Sequence, residues 1–186
     1  MTLLVIGLLL WSGAHLFKRV APGPRAVLQE RMGDASRGLF AGLLLFSVVL
    51  MVLGYRSYSG TFFWGRSGAT TGINNLLMVF AVYLFAASGL KTRITRVIRH
   101  PQLTAVKTWA LAHLLVNGDT ASFILFGGLL AWAVAEVILI NRQTERPVTR
   151  ESYPAANEVK AIIGTLVVFA GISVIHIWLG YNPFGA

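Results

Sequence analysis

The chain has 186 residues, of which 55% are hydrophobic and only 12% charged, with mean hydropathy +0.67 and formal net charge +9. About 25% charge is usual for a soluble domain, so a water-solvated globule is excluded and the long apolar runs indicate a lipid-solvated chain. The absence of cysteine excludes disulfides, cysteine zinc sites, iron–sulfur clusters, thiolate haem ligation and covalent c-type haem. Although the basic excess is large, the cations fall between apolar runs. That is the pattern of membrane topology and not of a nucleic-acid-binding face.

Taken in chain order, six apolar segments stand out, at 2–17, 39–55, 72–90, 103–117, 120–140 and 160–180. A span needs about 20 residues. The first, MTLLVIGLLLWSGAHLF, has neither a basic leader nor a small-residue cleavage site, so it reads as a spanning helix and not as a signal peptide. After it, Pro22-Gly23-Pro24 breaks the chain, and RAVLQERMGDASRG mixes apolar and charged residues as a short interfacial helix would. The connection YRSYSGTFFWGRSGATTG is rich in aromatic and small residues, as at a membrane interface. The fourth segment is short and polar, so the protein must satisfy its polar groups. Asn117-Gly118-Asp119 turns it tightly into the fifth, and the connection after the fifth, with Pro147 and Pro154, reads as irregular.

Charge orients these segments. Lys18, Arg19, Arg25, Arg31 and Arg37 fill the first connection. Lys91, Arg93, Arg96 and Arg99 fill the third, and Arg142, Arg146, Arg150 and Lys160 the fifth. The other side holds only Arg56 and Arg66. The positive-inside rule therefore predicts an all-α polytopic bundle of six transmembrane helices forming one membrane domain over 1–186, with both termini on the non-cytoplasmic side.

Ionisable residues inside lipid are functional candidates by default. His15 follows Trp11 by one helical turn and precedes Lys18 and Arg19; His113 follows Trp109 by one turn; His176 lies in SVIHIWLG; His100 precedes Pro101 at a first-turn position. Each could simply hydrogen-bond a neighbouring helix, and His100 could cap or bind a phosphate. Alternatively, two histidines from different helices could ligate one haem, as bundles build cofactor sites from facing helices. Neutral imidazole is a good iron ligand. Trp11, Phe17 and Trp109 could pack a porphyrin, and Lys18, Arg19 or Lys107 could pair with its propionates. Depth complicates the choice of pair. His113 falls roughly 18 Å along an outward-running helix, whereas His15 lies near the cytoplasmic end of an inward-running one, so by depth His113 pairs better with His176. Of the remaining groups, Glu136 is expected to reach Lys107, Asp119 to N-cap the fifth helix or orient His113, and Asn74 and Asn75 to cap or join helices.

GAHLFKR, RVIRHPQLTAVKTWALAHLLVNGD and ILFGGLLAW resemble the NnrU family, small bacterial membrane proteins associated with denitrification and nitric-oxide metabolism. That family is similar to the membrane domain of 15-cis-ζ-carotene isomerase, which holds haem b through two histidines. The resemblance covers most of the chain and places those ligands on His15 and His113; Trp109, Lys18, Arg19 and Lys107 are the surrounding haem contacts that the residue pattern offers. Two positions depart from it: Ala110 stands where the plant enzyme has cysteine, and Leu16 where the family usually has serine. Redox-gated exchange to a thiolate is thereby excluded.

The resemblance implies a bacterial inner-membrane protein with a haem-linked or redox role. It could be an isomerase- or oxidoreductase-like enzyme, or a non-catalytic haem carrier, sensor or assembly factor. Its expected partners are membrane lipid and haem, with denitrification enzymes or a small apolar ligand as further candidates and no nucleic acid. RHP before a helix also occurs in S-adenosylmethionine-dependent membrane methyltransferases. Here Glu145, Glu151 and Tyr153 do not reproduce the segment those enzymes carry afterwards, so that reading ranks below haem binding.

Overall fold

In the computed structural model, residues 1–58, 60–145 and 152–185 are described. Arg146, Pro147, Arg150 and Glu151 lie outside them. The helices are α1 (Thr2–Val20), α2 (Pro22–Met32), α3 (Ala35–Arg56), α4 (Gly68–Leu90), α5 (Ile94–Val97), α6 (Pro101–Val116), α7 (Thr120–Ser122), α8 (Gly128–Gln143) and α9 (Ala155–Trp178). A π-helical turn, Phe123–Gly127, joins α7 to α8 into one continuous helix, Thr120–Gln143. Among the described residues, five helices are long and apolar enough to cross a membrane: α1, α3, α4, Thr120–Gln143 and α9. They fit a multi-pass membrane protein.

The expected fourth span corresponds to α6, whose 16 residues reach roughly 24 Å at 1.5 Å per residue. It is shorter than the five and carries Lys107 and His113 in its body. It nevertheless runs the bundle from end to end. At its start, His100 Nε2 lies 2.8 Å from Asn141 Oδ1 and Arg99 donates to the Thr144 carbonyl at 2.6 Å. At its finish, β2 (Gly118–Asp119) pairs antiparallel with β1 (Phe62–Trp64), an element the sequence did not foretell. The two chain ends lie at this same end of the bundle, Leu4 against Gly54 and Asn182 against Arg66.

Small residues bring the helices together, as expected where lipid removes the hydrophobic drive between them. A Cβ on Gly7 would come within 2.8 Å of the Met51 side chain and the Ser47 carbonyl, and one on Gly54 would overlap the Leu4 backbone. The backbones of α1 and α3 therefore touch, around the fully buried Leu4 and Ser47. Ala81 and Leu84 of α4 pack with Ala105 of α6 in the same manner. Helix α8 packs against both α1 and α6, and α9 packs on α4.

Local signals set the boundaries. Val20 ends α1, and Pro22 opens α2 at its first turn, where a missing N–H costs nothing. Ser67 and Thr70 form a reciprocal capping box, which starts α4 at Gly68, ahead of the expected 72. Asp119 Oδ1 accepts from Ser122 N at 2.9 Å, so the expected cap is present. Both of its oxygens are spent on Ser122, and it does not orient His113. Asn75 joins elements as expected, through Nδ2 to the Pro183 carbonyl at 3.1 Å.

Candidate functional site

Three of the four histidines share one local device. Nδ1 of His15 lies 3.0 Å from the Trp11 carbonyl, that of His113 2.9 Å from the Trp109 carbonyl, and that of His176 2.8 Å from the Ile172 carbonyl, each one turn back. A carbonyl can only accept, so Nδ1 carries the proton in all three. In the neutral ring the lone pair then sits on Nε2. Among the described residues no hydrogen bond reaches any of these three Nε2 atoms. This is the arrangement that orients an imidazole as a ligand.

Aromatic rings hold His15 and His113 separately. His15 lies 4.3 Å from Trp11 and 4.7 Å from Trp132, centroid to centroid. His113 lies 4.9 Å from Trp109 and 4.8 Å from Phe126. Trp132 and Phe126 belong to the same continuous helix, six positions or roughly 9 Å apart along it. The two imidazoles therefore sit at different levels. Between those levels is an apolar cavity of about 470 Å³, whose lining includes Trp11, Trp109, Leu129 and Trp132. Neither imidazole itself lines it; each touches indoles that do.

His113 and His176 are brought together more directly. Both line a second cavity of about 220 Å³ among α4, α6 and α9, with Asn74 and Thr71. This is the pairing that depth favoured. The pairing implied by resemblance, His15 with His113, is not in contact in this structure.

The cations sort differently from expectation. Glu136 pairs with Arg19, Oε1 to Nε at 3.4 Å, and not with Lys107. The reason is packing: α1 and α8 run side by side in the same direction, which sets Trp11, His15 and Arg19 along Trp132 and Glu136. Arg19 is thus already engaged, whereas Lys18 is exposed and Lys107 half-buried. Phe17 stacks on Phe40 at 5.9 Å, away from the histidines. His100 is both the N-cap residue of α6 and bonded to Asn141. Trp132 was missed in the sequence, although its i,i+4 spacing to Glu136 mirrors Trp11–His15–Arg19 and was the available signal. Among the described residues no three of His, Asp and Glu converge as a metal cage.

Fold and site together define a polytopic membrane helical bundle with tautomer-fixed, half-buried histidines beside an aromatic-lined cavity. The chain belongs to the NnrU protein family, whose model matches residues 3–183. No curated protein and no solved structure gives a significant match to the chain.

Proposed function

We propose that this chain is a haem b-binding protein of the bacterial inner membrane, ligating iron through His15 and His113 and serving denitrification or nitric-oxide metabolism. The observation that carries this reading is the matched pair of Nδ1–H bonds to Trp11 and Trp109, which leaves the Nε2 lone pairs free on two histidines whose tryptophans line an apolar cavity. The donor chemistry fits: neutral imidazoles suit iron, and coordination would satisfy nitrogens that otherwise lack a partner in lipid. The lining fits as well, since indoles and leucines exclude water from a porphyrin face. Bound haem would supply one-electron chemistry.

The chain's own residues would hold and insulate that group. Trp11 and Trp109 fix their histidines' tautomers through their carbonyls and line the cavity with their rings. Lys18 and Lys107 are the cations that remain for carboxylates, because Glu136 occupies Arg19. With two histidine ligands the iron has no free position, which suits electron transfer or sensing more directly than catalysis. Family membership supports the link to denitrification. The cation-rich end, with Lys18, Arg25, Arg93 and Arg142, is assigned to the cytoplasm, and α6 counts as a sixth crossing.

The test is the absorption spectrum of protein purified from haem-replete cells. A six-coordinate low-spin b-haem is expected, disturbed by His15→Ala and by His113→Ala but not by His176→Ala. A colourless preparation, or a spectrum unchanged in both of the first two variants, would overturn the reading.

A further inference from the structure

The cavity among α4, α6 and α9 has a chemistry distinct from that of the tryptophan-lined one. Its inner wall is apolar, with Met78, Val82 and Phe169, and its outer part is polar. The polar groups fall into two sets. Several are already used: Asn75 donates to the Pro183 carbonyl, Arg66 to the Asn182 carbonyl at 2.6 Å, Asn117 to the His113 carbonyl and Ser173 to the Phe169 carbonyl. Others have no partner among the described residues. Asn74 Oδ1 is buried and unbonded, and its identity as oxygen is fixed because the same amide's Nδ2 donates to Asn75 Oδ1 at 3.0 Å. The Thr71 hydroxyl is also buried and unbonded, on a residue only 6% exposed. His176 adds an Nε2 whose lone pair its Nδ1 bond leaves free.

Unpaired groups of this kind are costly when buried, and native proteins normally satisfy them. Here the vacant functions are three acceptors, Asn74 Oδ1 and the Nε2 atoms of His113 and His176, and a hydroxyl, so the complement is a hydrogen-bond donor. An anion would meet acceptors. A cation would meet Arg66, which lines the cavity. The complement is therefore neutral.

The cavity also has a cover. Beyond α9, Gly180 turns the chain at φ +89°, a conformation that favours glycine. The following segment, 181–185, crosses the outer end, and Tyr181 and Pro183 line the cavity from there. It is tied down by Arg66 and Asn75, two residues of the lining itself. Phe184 packs on Phe169 at 6.3 Å.

We propose that this cavity is a binding site for a small neutral hydrogen-bond donor of the primary-amide type, held by His176, Asn74 and Thr71, admitted from the Arg66 end and closed by the 181–185 strap. The site goes beyond the haem reading and does not need iron.

The absence of cysteine gives a clean test. Ser173→Cys places one thiol in the cavity wall, and its reaction with the small neutral reagent methyl methanethiosulfonate is timed. Acetamide is the probe ligand. Expected are measurable labelling, slowing by acetamide, and loss of that slowing when His176→Leu is added. Arg66→Met should speed labelling about tenfold, the population change made by releasing one ordinary hydrogen bond. Met78→Cys, also in the cavity wall, serves where Ser173→Cys does not fold. Thiols unreactive at both positions, even with Arg66→Met, would overturn the proposal. So would labelling that acetamide does not slow. A haem spectrum taken on the same samples keeps the two readings separate: colourless protein that passes the labelling test sinks only the haem.

Discussion

Trp11 and Trp132 meet edge to face with ring centroids 5.5 Å apart, and neither buried indole nitrogen has a hydrogen-bond acceptor among the described residues. Both rings touch His15 and both line the larger cavity. Their apolar contacts and edge-to-face geometry therefore outweigh two unsatisfied donors, each costing about 1–3 kcal/mol.

This predicts opposite behaviour from two substitutions at one position. Trp132→Phe keeps a ring against His15 and removes one orphan donor, so stability should change by less than about 1 kcal/mol. Trp132→Ala removes the ring and leaves a cavity, costing about 3 kcal/mol or more. Thermal unfolding in detergent measures both. Equal losses would mean that the indole nitrogen has a partner after all.

How much of this was legible in advance depends on whether a feature is local. The helix ends at Pro22 and Asp119 follow from side chains adjacent to the backbone they cap, and the sequence reading found them. The i,i+4 pairs Trp11–His15 and Trp109–His113 are equally local, and they became the tilted-ring, hydrogen-bonded units that the spacing allowed. The partner of Glu136 was not legible. The hairpin with α6 made Lys107 the natural guess, but which helix packs beside α8 at that level is a tertiary fact, and it delivers Arg19. The β1–β2 pairing was hidden for the same reason: Phe62–Trp64 finds its partner more than fifty residues away, over a Gly118 whose Cβ would overlap the Trp64 ring. The depth estimate set His113 level with His176 because helical rise is a fixed quantity, and both residues line the smaller cavity.

Glycine positions give a second prediction. Gly54 faces the Leu4 backbone, which cannot yield as a flexible side chain would. Gly54→Ala should force α1 and α3 apart and cost about 1–3 kcal/mol. Gly13 lies in α1, and a Cβ added there would meet nothing within 4 Å, so Gly13→Ala should be neutral or stabilise by roughly 0.5–1 kcal/mol. Unfolding midpoints of the two variants are the check, and the reverse order would contradict the helix contact.

The Arg19–Glu136 pair is the third. Its side chains are 24% and 7% exposed, and Glu136 Oε2 has no partner among the described residues. Arg19→Met leaves a buried carboxylate without its cation and should cost on the order of 3 kcal/mol. Glu136→Gln leaves no buried anion and should cost less. In the Arg19→Met background, Glu136→Gln should recover part of the loss. A double-mutant cycle with no coupling between the two positions would show that the contact contributes nothing.

The last prediction concerns how many times the chain crosses the membrane. Five long apolar helices alone would leave the two termini on opposite sides. The bundle instead puts Leu4 and Asn182 at one end, beside Gly54 and Arg66, because α6 traverses it as well. An even number of crossings follows if α6 is seated in lipid, with α4 and α8 packed beside it offsetting its short length. Single cysteines at Thr2, Tyr58 and Phe184 should then react together with a membrane-impermeant thiol reagent applied to one face of sealed vesicles. Cysteines at Arg25, Arg93 and Thr144 should react only from the other face. Labelling of Thr2 and Phe184 positions from opposite faces would reduce the crossings to five and place α6 outside the bilayer. The basic-end assignment would then have to be made again, since Arg99 and His100 begin the very helix whose crossing is in question.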